Sequence, residues 1–111
     1  MLELKRYIIE FLKVLSDLTR LEILNLLKDS KKTSLEIQNS LNKSQSTISQ
    51  HLKILYNNKL IDFEKKKKIK YYYVKNTEIF RILDAIKSFV IKINRENLKD
   101  FVDIDIIDIL F

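Results

Sequence analysis

The spacing of the hydrophobic residues changes twice along this chain, and those changes limit the folds it can adopt. Up to about residue 58, and again from Ile79, apolar residues recur every three or four positions, as they do on one face of a helix. Between these regions, in LIDFE (60–64) and IKYYYVK (69–75), β-branched and aromatic residues follow a period of two, which is typical of strands. The sequence therefore predicts helices on both sides of one β-hairpin.

Capping residues divide the first helical region into shorter helices. Residues 2–15 carry one apolar stripe, and Asp17 or the serine before it can cap a second helix. Thr33 stands three residues before Glu36, which is the spacing of a capping box, and Ser44 can cap a fourth helix. The order helix, helix, short helix, helix, hairpin, helix predicts a mainly α winged helix-turn-helix with a small β-hairpin.

The positive charge is concentrated in the middle of the chain. The 111 residues have a net charge of +6, and nine lysines lie between Lys43 and Lys75 against two acids, which favours a polyanionic partner. Lys65 to Lys68 fall at the tip of the hairpin, where they either form a solvated edge or reach DNA phosphates as a wing. Because the chain has no glycine, we expect a longer, mobile loop there and not a tight two-residue turn.

The fourth helix has two chemically different faces. Ile48, Leu52 and Leu55 face the domain, together with the only histidine, His51, for which we expect a structural hydrogen bond ahead of a phosphate contact. The opposite face is small, polar and uncharged near the N-terminus, where a recognition helix meets base edges. The predicted DNA contacts are Gln45, Ser46, Ser49 and Gln50 to bases, and Ser44, Thr47, Lys53, Lys65, Lys66, Lys67, Lys68 and Lys70 mainly to phosphates.

Three segments resemble the ArsR family of bacterial and archaeal winged-helix repressors. They are LSDLTRLEILNLL (15–27), SQSTISQHLKIL (44–55) and KLIDFEKKKKIKYYYV (59–74), of which the second is the most specific. Two positions depart from the family pattern: Leu18 stands where proline is common, and Lys59 stands where glycine usually precedes the first wing strand. We therefore expect Lys59 or Asn58 to take the left-handed conformation at the helix end.

The resemblance implies a homodimer that reads a pseudo-palindromic operator in double-stranded DNA and represses by occupying a promoter. The first and last helices would form the dimer interface, and their apolar stripes supply the predicted residues Leu4, Ile8, Phe11, Leu15, Ile79, Ile82, Ile86, Phe89 and Ile93. Many relatives bind a metal through cysteines whose positions here correspond to Thr33 and Leu35, and the last helix has no histidine. We therefore expect no metal and no other cofactor.

Other function classes find less support in the residues. One histidine, no cysteine and no glycine leave no assembled nucleophile and base, so we expect no enzyme. The chain lacks an apolar run of the roughly 20 residues that a membrane span needs, and its start does not resemble a signal peptide, so we expect a cytoplasmic protein. Two alternatives remain: a winged-helix protein–protein interaction module and an RNA-binding module.

The C-terminal end differs in composition from the rest of the chain. We predict a winged helix-turn-helix domain with flanking dimerisation helices at 1–97 and an acidic, apolar tail at 98–111. Val102, Ile104 and Ile106 alternate as in a strand, whereas Asp100 and Asp103 have helical spacing. The tail is expected to extend the dimer interface or, alternatively, to dock a protein partner.

Overall fold

The computed structural model describes residues 1–98, which contain six helices and one hairpin. The helices are α1 (Leu2–Leu15), α2 (Leu18–Leu26), α3 (Ser34–Leu41), α4 (Gln45–Asn57), α5 (Glu78–Ile93) and α6 (Arg95–Leu98), and the strands are β1 (Ile61–Lys66) and β2 (Ile69–Val74). The chain forms two compact units, Met1–Asn76 and a second that begins at Thr77. The predicted tail lies outside the described residues, apart from its first residue.

Local hydrogen bonds explain where the helices of the first unit begin. Asp17 caps α2 through its side chain. Thr33 and Glu36 form the predicted capping box, with N···O distances of 3.2 and 2.9 Å, and the bond from the Thr33 backbone N–H lowers the pKa of Glu36. Ser44 Oγ accepts from the backbone N–H three residues later at 3.2 Å and caps α4. These predicted helix starts are confirmed, because each depends only on neighbouring residues.

The first unit buries apolar side chains from all of its helices and from the base of the hairpin. The buried residues are Val14, Leu15, Ile23, Leu24, Leu27, Ile37, Ile48, Leu52, Leu55, Leu60, Ile61 and Val74. The predicted inward face of α4 is confirmed by Ile48, Leu52 and Leu55 in this set. In the second unit, Ile79 and Leu83 of α5 are buried.

The hairpin turn differs from the prediction. β1 and β2 pair antiparallel as far as Lys66 and Ile69, so that only Lys67 and Lys68 remain between them. Both turn residues have positive φ, 50° and 68°, which is the pattern of a type I′ turn. The expected longer loop is therefore wrong. Lysine can adopt this conformation at a cost of about 1–2 kcal/mol per residue, and the paired strands on either side offset that cost.

α4 ends without the glycine that usually closes such a helix. Lys59 has φ 63°, its N–H donates to the carbonyl of Tyr56 at 3.0 Å, and the N–H of Leu60 donates to the carbonyl of Leu55 at 3.1 Å. These two bonds form a Schellman motif. The expectation that Lys59 or Asn58 is left-handed is confirmed, and the residue is Lys59.

Replacing Lys59 by glycine should raise the free energy of unfolding by about 1 kcal/mol, because glycine adopts positive φ without a clash at Cβ. Urea denaturation at a fixed protein concentration measures this change. The matched control, Lys59→Ala, removes the same charge but keeps the Cβ atom and should give no gain. Equal stabilisation by both substitutions would show that charge, and not backbone conformation, limits stability here.

Candidate nucleic-acid interface

The polar face of α4 is open to solvent at its N-terminal end. Gln45, Ser46, Ser49, Gln50 and Lys53 are exposed, and Ser44 at the cap is exposed as well. Thr47 is half-buried, and its Oγ1 accepts a hydrogen bond from Ser44 Oγ at 2.9 Å. The Thr47 hydroxyl keeps its own proton for an external acceptor. The predicted base-reading residues are thus on one exposed surface, and one predicted phosphate contact, Ser44, also caps the helix.

The strand register divides the wing lysines between two faces. Lys65 pairs directly with Lys70, and strand alternation places both on the face that carries Phe63 and Tyr72. Lys66 projects from the opposite face. All five predicted wing lysines are exposed. Like charges directly opposite one another are destabilising, so the Lys65–Lys70 pair favours a bound anion.

Three aromatic rings connect α4 to this lysine-bearing face. The ring centroids of Tyr56 and Phe63 are 5.5 Å apart, and those of Phe63 and Tyr72 are 5.7 Å apart. The Lys70 ammonium lies 4.6 Å from the Phe63 centroid, within cation–π range. Burial raises the pKa of Tyr72. Tyr72 therefore anchors the wing beside α4.

The start of α3 also lies beside the wing. The Lys32 N–H donates to the Tyr72 carbonyl at 3.0 Å, and the Tyr72 N–H donates to the Lys32 carbonyl at 2.7 Å. This bridge leaves an open groove lined by Thr33, Ser34, Leu35, Lys65, Lys68, Ile69, Lys70 and Tyr72. Sequence reasoning missed the Thr33 and Ser34 hydroxyls as members of the site, since only the backbone pairing brings them to the lysines.

Glu64 engages two lysines on the opposite side of the hairpin. Its carboxylate lies 2.7 Å from the ammonium of Lys31 and 3.9 Å from that of Lys66. The hydrogen bond and charge of Lys31 lower the pKa of Glu64, and Lys66 contributes less. The Lys31 ammonium also lies 5.1 Å from the Tyr73 ring centroid. These contacts tie the loop before α3 to the wing and leave Lys66 more neutralised than Lys65.

Arg20 connects three helices of the first unit. Its Nε donates to the Val14 carbonyl at 2.7 Å and its Nη2 donates to the Lys13 carbonyl at 3.2 Å, both at the end of α1. Its Nη1 lies 3.1 Å from Nδ1 of His51 in α4, and Asp17 Oδ1 lies 3.9 Å from the same nitrogen. The expected hydrogen-bonded role of His51 is confirmed. Sequence reasoning missed Arg20, because its bond to His51 joins residues 31 positions apart in the sequence.

The predicted dimer residues fall into exposed and buried groups. On α1, Leu4 and Ile8 are 52% and 49% exposed, Phe11 is half-buried and Leu15 is buried. On α5, Ile82, Ile86, Phe89 and Ile93 are exposed, whereas Ile79 is buried. Leu15 and Ile79 therefore offer almost no surface to a partner, and each helix still presents an apolar face through its other members.

The described residues contain neither a cluster of metal ligands nor a membrane-spanning helix. Among residues 1–98, no group of three His, Asp or Glu side chains is placed to hold a metal ion. Over the same residues, every helix is too short or too polar to cross a bilayer.

The segment that carries α2, α3, α4 and the start of β1 matches a known family. Residues 17–62 match the family model described as "Bacterial regulatory protein, arsR family". Over these residues the chain is similar to the ArsR family. The matched ArsR segment ends within β1, so the lysines at the tip of the wing lie beyond it.

Solved structures extend the similarity to most of the chain. HlyU from Vibrio vulnificus CMCP6, described as a transcriptional regulator, is 28% identical with a TM-score of 0.65 over 80% of this chain and 93% of its own. NolR from Sinorhizobium fredii is 26% identical with a TM-score of 0.73 over 78% and 87%. The homodimeric winged helix-turn-helix DNA-binding domain of Mb0332 from Mycobacterium bovis is 19% identical with a TM-score of 0.73 over 84% and 87%, which supports the fold alone. Comparison with curated proteins found no match.

Proposed function

We propose that this chain is a dimeric, sequence-specific regulator of transcription that binds double-stranded DNA and represses without a metal switch. One observation carries the proposal: α4 exposes an uncharged polar face at its N-terminal end, while Tyr56 near its C-terminal end packs through Phe63 and Tyr72 on the wing face that bears the Lys65–Lys70 pair. Polar side chains suit base edges, and lysines suit phosphates. The similarity of residues 17–62 to the ArsR family and the description of HlyU as a transcriptional regulator support the same function.

The roles of the side chains divide by position. Bases are read by Gln45, Ser46, Ser49 and Gln50 from the exposed end of α4. Phosphates are held by Ser44, Thr47, Lys53, Lys65, Lys66, Lys67, Lys68 and Lys70. The wing lysines differ in the strength with which they attract a phosphate. Lys65 and Lys70 lie opposite each other and add their charges on one face, whereas the charge of Lys66 is partly neutralised by the Glu64 carboxylate.

Selection from a random duplex library at about 150 mM salt tests the proposal, because nonspecific phosphate binding is weakened there. The expected result is an enriched inverted repeat with half-sites about ten base pairs apart. Binding without enrichment would contradict sequence-specific reading. Preference for single-stranded RNA would favour the RNA-binding alternative, and no nucleic-acid binding would favour a protein–protein module.

Gln50→Ala should relax base preference at one position of each half-site, because the amide that bonds a base edge is lost while every phosphate contact remains. We expect discrimination at that position to fall by about 1–3 kcal/mol and affinity for random DNA to stay the same. Repeating the selection with the variant measures both. An equal loss of affinity for the operator and for random DNA would contradict base reading by Gln50.

Lys65→Ala should weaken binding to all duplexes and reduce the slope of log K against log salt by about one. Lys66→Ala is the matched control, since it removes the same charge from the same strand on the opposite face. Salt titrations of both variants should show the larger loss for Lys65→Ala. Equal losses would show that net charge alone, and not the register of the wing, governs phosphate binding.

A homodimer is proposed from the exposed apolar faces of α1 and α5, and Mb0332 is described as homodimeric. Phe89→Asp should convert the protein to a monomer, because it places a charge on an apolar surface that the partner would bury. Sedimentation equilibrium gives the mass, and circular dichroism checks folding. Leu35→Asp is the control, being an exposed leucine outside α1 and α5. An unchanged dimer in Phe89→Asp would exclude that part of α5 from the interface.

A further inference from the structure

We infer that Arg20 is a positioning residue for the recognition helix and that it holds this helix only while His51 is neutral. The inference rests on the proposed DNA binding and adds a regulation of the same site. It predicts that operator binding weakens as the pH falls. This is the opposite of the usual effect, since protonation adds positive charge and strengthens attraction to the DNA phosphates.

The hydrogen-bond chemistry of the two side chains requires a neutral imidazole. A guanidinium can only donate, so the 3.1 Å contact from Arg20 Nη1 makes His51 Nδ1 the acceptor. The ring proton is then on Nε2. The His51 side chain is only 17% exposed, so water competes poorly for this bond, and a charged donor strengthens it.

The guanidinium is held in place from its other side. Its Nε and Nη2 donate to the carbonyls of Val14 and Lys13, which end α1 and carry the negative end of that helix dipole. Arg20 cannot retreat from the imidazole without losing these bonds. If His51 takes up a proton, Nδ1 becomes a donor facing a donor, and two positive charges face each other at the same short distance.

The other charged groups near the ring do not remove this conflict. Asp17 is the carboxylate that faces it, but its Oδ1 lies 3.9 Å from Nδ1 and also accepts the backbone N–H of Arg20 at 3.1 Å. On α1, the ammonium of Lys13 lies 3.6 Å from the carboxylate of Glu10, and both side chains are exposed. On α4, Lys53 is exposed. Asp17 therefore compensates only in part, and the Arg20–His51 hydrogen bond between α2 and α4 is lost.

Loss of the Arg20–His51 hydrogen bond affects the proposed DNA-binding face directly. Gln50 precedes His51 on the same turn of α4, and Ser49 is one residue further away. Base-edge hydrogen bonds need donors and acceptors placed within a fraction of an ångström, so a shift of this turn weakens specific binding before it weakens phosphate contacts.

The test measures affinity for the selected operator between pH 8 and pH 5 at constant ionic strength, the range in which imidazoles titrate. We expect the wild-type protein to lose about tenfold in affinity as pH falls, from loss of one charged hydrogen bond. His51→Gln should bind like wild type at pH 8 and lose the pH dependence, because the amide oxygen accepts from Arg20 without titrating. Since the chain has one histidine, no other imidazole contributes.

A second measurement needs no DNA. The ¹⁵N spectrum of the single histidine at pH 8 should show the Nε2–H tautomer in the wild type and a mixture of tautomers in Arg20→Met, with circular dichroism confirming that the variant folds. The Nδ1–H tautomer in the wild type would overturn the inference, as would operator affinity that does not fall with pH. Failure to bind any duplex would instead overturn the proposed function, and the tautomer would still decide the Arg20–His51 contact.

Discussion

The rotation of α4 about its own axis is the constraint on which the rest of the interface depends. Ile48, Leu52 and Leu55 are at most 3% exposed. Complete burial of such a side chain contributes roughly 1.5–3 kcal/mol, so a rotation that exposes all three would cost a large part of the stability of a small domain. Core packing therefore dictates that Gln45 and Ser49 face outward. The chemistry of the exposed face can vary, because the rotation of the helix is set by core packing and not by that face.

The hairpin is oriented by longer-range contacts. Two backbone hydrogen bonds between Lys32 and Tyr72 hold β2 against the start of α3. The Phe63 ring lies between Tyr56 of α4 and Tyr72 of β2. The register of β1 and β2 then decides which lysines share a face. Neither the backbone bridge nor the rings carry positive charge themselves, yet they determine where the charge of the wing is presented.

The parts of this architecture that depend on neighbouring residues were predictable from the sequence. Caps at Asp17, Thr33 and Ser44 involve residues three positions apart, and the apolar face of α4 follows from helical periodicity. The tight turn at Lys67 was not predictable, since propensity favours glycine or asparagine there and strand pairing overrode it. The Arg20–His51 contact joins residues distant in sequence, so no local pattern indicates it.

Two features of the wing tip destabilise the free protein. Lys67 and Lys68 take a backbone conformation that lysine disfavours, and directly below them Lys65 and Lys70 set two like charges opposite each other. A glycine turn and a neutral cross-strand pair would be more stable. Strain and repulsion that persist at one place are typical of functional sites, where a bound partner offsets them. A bound polyanion would relieve the repulsion between Lys65 and Lys70. The tight turn would already hold these two lysines in position before the polyanion binds. The least stable part of the hairpin is therefore also the part whose geometry best suits binding of a polyanion.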